Sequence, residues 1–192
     1  DDIGLRYQDM LPHAITGTLL AIFIVCGGAL FIYSLDGIEW LDILPVTDEL
    51  FITAVLLLMV AIGEELVFRG YVLRHLVKSM NKWLALALSA ALFTIVHVSS
   101  FEIPATGLIN IFLGGILLGI TFMYTRSLWF PVLFHFMWNF VQGPVLGFRV
   151  SGIEFPSVLI MDPVDTPLLS GGEYGFEGSL VCSALLLAAS AI

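Results

Sequence analysis

The sequence predicts an all-α fold, a polytopic transmembrane helical bundle of about six spans. Three observations predict it. Of 192 residues, 59% are hydrophobic and 12% charged, against about 25% charged in an ordinary soluble domain, and the mean hydropathy is +1.01. A water-soluble globule of this size cannot hide that much apolar surface, because its own exterior must be wetted. The charges are also spaced at roughly bilayer intervals. Uncharged runs of 26, 19, 23 and 22 residues separate Asp9 from Asp36, Lys82 from Glu102, Glu102 from Arg126 and Arg126 from Arg149, and about 20 residues cross a hydrocarbon core as a helix. Finally, these runs are continuously apolar, whereas the strands of a transmembrane barrel are shorter and alternate. Soluble enzyme, disordered scaffold and nucleic-acid binder are excluded as classes. Seven Lys+Arg against sixteen Asp+Glu removes the basic footprint that a phosphate backbone requires.

The spans are expected near residues 12–35, 50–72, 83–100, 104–125, 128–146 and 179–192. Cys26 and Cys182 fall inside the first and sixth and read as small core hydrophobes, with no disulfide framework. The second span breaks the charge rule, since it contains Glu64, Glu65 and Arg69. The fourth carries Gly114 and the strip Gly115-x-x-x-Gly119, which permits close helix approach. The sixth runs to the end of the sequence. The chain forms one integral membrane domain over 1–192, expected to continue beyond both ends, with no signal peptide visible before the first span. Trp40, Trp83, Trp129 and Tyr124 lie near span ends, where aromatic belts belong.

Segment 143–178 is the one long loop, with seven Gly and four Pro in 36 residues. It reads as a flexible connector or as a lid over an outward-facing cavity. Its apolar run from Phe155 to Met161 is suited to packing at the membrane interface.

Orientation follows from the basic residues. Arg6, the group Arg74, Lys78 and Lys82, and Arg126 fall on alternate loops and so share one side, expected to be cytoplasmic together with both ends. The loops of the other side carry Asp36, Glu39, Asp42, Asp48, Glu49, Glu102 and five further acids between 143 and 178, with Arg149 the single basic residue there. Most of the net charge of −9 is then an external, solvated coat. The expected location is a cell inner or plasma membrane.

The functional signal is the cost of the second span. A charged side chain at mid-bilayer costs roughly 2.5–3.5 kcal/mol on insertion scales, and Leu would serve a purely structural span better. Glu65 and Arg69, four apart, can pair on one helix face. Glu64 is rotated about 100° from Glu65 and lacks an intrahelical partner, so it must face another element. A buried ion pair that fixes packing accounts for Glu65 and Arg69 but not for Glu64. Two adjacent carboxylates in low dielectric push their proton affinities apart, leaving one free to exchange protons.

The third span ends at His97, and the fifth carries His135 and Asn139 on one face. A lone intramembrane His is often a packing residue, but two polar groups on one stripe point to a shared target. At about 1.5 Å per residue from each span's basic anchor, Glu64, His135, Asn139 and His97 lie ~15, ~14, ~20 and ~22 Å deep. Three spans therefore deliver their strongly polar groups to one band. Gly63 and Gly70 bracket the acidic motif, where they admit a neighbouring helix or a substrate backbone, or relieve crowding. Phe93 reads as a packing wall.

Such a cluster suits hydrolysis by an activated water. Glu64 is the candidate general base, with His97 orienting the water or passing on the proton. His135 and Asn139 can donate to a developing oxyanion. No Ser or Cys completes a triad-like pattern. Zinc binding by the same residues is an alternative, without the short H-E-x-x-H spacing of many zinc proteases. A proton-coupled transporter is another, but it lacks paired interrupted helices in two halves.

The motifs Glu64-Glu65-x-x-x-Arg69, Phe93-x-x-x-His97 and His135-x-x-x-Asn139, in this order over roughly residues 50–145, resemble the three signature motifs of the type II CAAX prenyl endopeptidase and bacteriocin-processing family, also called abortive-infection-like. The resemblance implies an all-helical intramembrane protease. It implies Glu64 as catalytic base with His97, Glu65 with Arg69 as the supporting pair, and His135 with Asn139 as the oxyanion-binding set. The expected partners are the lipid bilayer and a membrane-embedded peptide or protein substrate, with no nucleic acid and no cofactor. The competing expectation is a non-enzymatic membrane immunity or scaffold protein that keeps the cluster for structure.

Overall fold

The computed structural model describes residues 3–45, 48–98, 103–164 and 166–191. Glu102 and Asp165, both assigned above to the outer acidic coat, lie outside these residues, as do positions 99–100 of the expected third span and Ile192 of the sixth. The helices are α1 (Met10–Ser34), α2 (Asp48–Glu65), α3 (Arg74–Ser79), α4 (Lys82–His97), α5 (Ala105–Thr125), α6 (Trp129–Phe140), the single turn α7 (Pro167–Ser170) and α8 (Leu180–Ser190). Two stretches of π-helix, Leu66–Leu73 and Val141–Val145, extend α2 and α6. The protein is an all-α, membrane-type bundle.

Each expected span coincides with a helix. By length and composition, three helical stretches suffice to cross a membrane: Met10–Ser34, the continuous Asp48–Ser79 and Ala105–Thr125. Lys82–His97 and Leu180–Ser190 are shorter apolar helices. The bundle is apolar on its outside as well as within. Leu19, Phe23, Phe51, Met59 and Ile95 are exposed, which is unfavourable against water but suits contact with lipid.

Local signals place the helix ends. Asn81 caps α4 by accepting from the backbone N–H of Trp83 and Leu84, and Ser179 caps α8 by accepting from Cys182 N–H, each satisfying donors that a helix start leaves unpaired. The core runs between α1, α6 and α8 through Val25, Ile32, Phe134, Trp138, Phe176 and Cys182. Both cysteines are free. The glycine strip of α5 lies on α4. A Cβ on Gly115 would fall 3.0 Å from Ala90 Cβ, and one on Gly119 would fall 2.4 Å from Leu86 Cδ1.

Segment 143–178, expected above as a flexible connector or a lid, carries regular structure of its own. It contains β2 (Leu159–Pro163), which pairs antiparallel with β1 (Ile38–Ile43), with an irregularity between Trp40 and Asp42. β1 is rich in β-branched and aromatic residues, but it is short and carries two acids, so its strand pattern is hidden among loop signals. Trp40 consequently belongs to this sheet. Its indole N–H donates to Leu146 O at 3.1 Å, and its ring stacks on Tyr33. The polar handle of the indole is thus satisfied by the fold. In the run from Phe155 to Met161, Phe155 lines a cavity together with residues of α2, α4 and α6, while Leu159 and Met161 pack on the core.

Candidate active site

α2 ends on Glu64 and Glu65, and the backbone then widens into the π-helical turns. Such widening shifts the i→i−4 ladder and is frequent at functional sites. Here it is supported from outside, because Ser89 of α4 donates to Phe68 O at 3.2 Å. The 100° α-helical spacing assumed from sequence therefore holds only as far as Glu65. Arg69 nonetheless reaches back to its expected partner: its Nη1 donates to Glu65 Oε1 at 2.9 Å. Its Nη2 donates to Gly115 O at 3.2 Å, and the guanidinium lies 4.5 Å from the centre of the Phe93 ring. The glycine strip that lets α5 approach thus also presents a carbonyl to the buried cation. Glu65 and Arg69 are 0% and 1% exposed, so the charges are neutralised by each other and by hydrogen bonds rather than by water.

α6 brings His135 against the same carboxylate. Its Nδ1 lies 2.9 Å from Glu65 Oε1. An ionised carboxylate only accepts, so Nδ1 carries the proton, and in the neutral ring Nε2 presents a lone pair. That Nε2 faces Glu64 Oε2 at 3.9 Å. His97, in the last turn of α4, is set the same way: its Nδ1 donates to Phe93 O at 2.7 Å, and its Nε2 lies 3.8 Å from Glu64 Oε2. Phe93 packs edge-on to Phe68 and touches the His97 ring, so it stands between the Arg69 guanidinium and His97.

Glu64 Oε2 is buried with no direct hydrogen bond. Both nitrogens facing it are acceptors in their neutral tautomers, and 3.8–3.9 Å is too long for a direct bond. The arrangement is three acceptors converging on a gap that calls for a donor.

That gap opens on a cavity of about 310 Å³. Glu64, His97, His135 and Asn139 all line it, and the remaining wall is mostly apolar, including Leu57, Phe134 and Trp138. Asn139 is buried one turn beyond His135 on α6. The cavity also has polar residues that the sequence reading missed: Asn110, Ser151 and Glu177. Asn110 donates to the carbonyls of Glu177 and Ser179 and accepts from Ser183 Oγ, tying α5 to α8. Glu177 accepts from the backbone N–H and hydroxyl of Ser151, both at 2.8 Å. An Asn within the apolar fourth span was a visible signal of the same kind as His135. Among the described residues, no group of three or more His, Cys, Asp or Glu side chains is placed to hold a metal ion.

The family model for Rce1-like type II CAAX prenyl endopeptidases matches residues 46–141, half of the chain. The chain belongs to this family. No curated protein and no solved structure matches it. The Rce1-like region runs from just before α2 to the end of α6, so it contains Glu64, Glu65, Arg69, His97, His135 and Asn139. It leaves out α1, both strands and Glu177. Membership of the Rce1-like family makes the chain an integral membrane protein and supports intramembrane proteolysis of the CAAX type as its general activity.

Proposed function

We propose that this protein is a metal-independent intramembrane endopeptidase that hydrolyses a peptide bond of a membrane-associated or lipidated substrate with a water activated by Glu64. The observation that carries the reading is the convergence of His97 Nε2 and His135 Nε2 on Glu64 Oε2, at 3.8 and 3.9 Å, on the wall of an apolar cavity. A water at that point supplies the missing donor, giving its two O–H groups to Glu64 Oε2 and His97 Nε2.

Glu64 takes a proton from the water, assisted by His97, as the water oxygen bonds to the scissile carbonyl carbon. The carbonyl π electrons move to oxygen, and Asn139 donates to the resulting oxyanion. His135 adds a second donor through Nε2–H when it enters the cycle as the imidazolium, with a proton taken up from solvent before the substrate binds; the Glu65 carboxylate 2.9 Å from Nδ1 stabilises that form. Collapse of the tetrahedral intermediate breaks the C–N bond, and the proton held by Glu64 passes to the leaving amine. The apolar walls exclude bulk water and receive an apolar or lipidated segment. Glu65 and Arg69 act through His135 as positioning residues. We place both ends in the cytoplasm of a cell inner or plasma membrane, from the one-sided distribution of basic residues.

The test is turnover of membrane-tethered peptides by the purified protein in detergent. Loss of cleavage in Glu64→Gln and His97→Ala is expected. Full turnover in either variant overturns the proposal, whereas no cleavage by the unaltered protein together with an intact cellular phenotype in Glu64→Gln favours an immunity or scaffold role.

A further inference from the structure

Five of the chain's seven Lys and Arg residues line one cleft of about 690 Å³: Arg6, Arg74, Lys78, Lys82 and Arg126. They come from four separate stretches of chain. Arg74 and Lys78 are one turn apart on α3, Lys82 opens α4, and Arg126 follows α5. Arg6 is brought in by the segment ahead of α1, which is fastened over the corner between α5 and α6. Leu128 N–H donates to Gly4 O at 2.8 Å, and the Trp129 indole N–H donates to Arg6 O at 3.1 Å. Among the described residues, the cleft shares none with the Glu64 cavity and has no acidic side chain in its lining. Val77, Met123 and Tyr124 complete it, so a cationic rim surrounds a partly apolar floor.

Membrane topology asks only that basic residues lie on one side. It does not ask that they share a concavity. Nor does it ask for Arg at position 126, where the backbone is left-handed at φ 55°, a conformation that Gly or Asn adopts more readily. A side chain kept at an unfavourable backbone position, pointing its charge to the same cleft as four others, indicates a ligand rather than a sorting signal alone.

We propose that this cleft binds the phosphate of an anionic phospholipid headgroup. Clusters of four or more basic residues at the membrane surface recognise such headgroups. A floor of Val, Met and Tyr matches the apolar part of an amphiphile better than it matches a free ion. The lipid is also the phosphate-bearing molecule that an integral membrane protein meets at highest concentration.

The test uses the purified full chain in detergent, with fluorescent phosphatidylglycerol and fluorescent phosphatidylcholine as probes at low and high ionic strength. Tighter, salt-sensitive binding of phosphatidylglycerol is expected. Lys78→Gln and Lys82→Gln should each weaken it about fivefold, with recovery in the Lys→Arg variants. Equal binding of the two lipids, or no change in the Gln variants, overturns the proposal. Displacement of phosphatidylglycerol by inorganic phosphate at comparable concentration assigns the cleft to a soluble anion and overturns the lipid reading. If the Gln variants fail to fold, the lipid selectivity and salt dependence of the unaltered protein still decide the outcome.

Discussion

His135 donates its Nδ1 proton to Glu65 at 2.9 Å, on the same carboxylate oxygen that Arg69 holds at 2.9 Å. One buried oxygen thereby fixes a cation on its own helix and an imidazole on another. It also determines which face of that imidazole reaches Glu64. The two adjacent glutamates therefore differ in environment: Glu65 is fully buried and directly hydrogen-bonded, while Glu64 is 30% exposed on the cavity and has no direct partner at Oε2. The predictions separate these two environments.

Glu65→Ala should act on stability. It leaves Arg69 buried without its carboxylate and His135 without an acceptor, and breaking a buried pair from one side costs about 3–5 kcal/mol. Thermal unfolding in detergent should show a large fall in the apparent Tm. Substituting both partners, Glu65→Leu with Arg69→Met, should recover most of it, because no uncompensated charge remains. A Glu65→Ala protein as stable as the parent would show that neither the buried pair with Arg69 nor the hydrogen bond from His135 supports the fold.

Glu64→Gln should act on turnover instead. The side chain is partly exposed and makes no direct hydrogen bond through Oε2, so the melting temperature should stay close to that of the parent. A general base contributes roughly 10²–10⁴-fold, and cleavage of a membrane-tethered peptide should fall by that order. Measuring both quantities on one preparation distinguishes loss of chemistry from loss of fold.

Asn139→Ala tests the oxyanion role. Removing one such donor typically costs about 10²–10³ in kcat, with KM little changed, because the interaction strengthens only as the carbonyl oxygen becomes charged. An effect confined to KM would make Asn139 a substrate-binding residue.

Metal independence predicts no stoichiometric zinc by elemental analysis and undiminished cleavage after chelator treatment. Stoichiometric zinc together with loss of activity on chelation would replace the Glu64-activated water with a metal-bound one. It would also assign Glu64, His97 and His135 as ligands that close in around the ion.

Gly115→Val probes how the glycine strip serves the site. The added methyl groups meet Ala90 at the helix contact, where a Cβ alone already lies 3.0 Å away. Overpacking of this kind costs about 1–3 kcal/mol. It also shifts the carbonyl that accepts from Arg69, so activity should fall together with the apparent Tm.

Most of the bundle could be read from local cost. Long apolar runs mark helices because the bilayer leaves an unpaired backbone no alternative, and each of the six expected spans coincides with a helix. Glu64, Glu65, Arg69, His97 and His135 stood out because each is expensive in an apolar run. The pairing of Glu65 with Arg69 was legible because both lie on one helix. The strands were not, since β1 and β2 are more than a hundred residues apart and neither signals its partner. Asn110 was overlooked because it sits singly in its span, and its partners come from the loop and α8.

The amino-acid sequence by itself determined the solvent for which this protein is built and the residues whose presence in that solvent demands an explanation, because both follow from the transfer free energy of side chains taken one at a time. Only the tertiary structure decided that His135 stands between the two glutamates, that His97 and His135 turn the same ring nitrogen toward Glu64, and that five cations from four stretches of chain rim one cleft. Those are relations between groups on different helices, set by how α2, α4, α5 and α6 pack, and no local pattern along the chain encodes them.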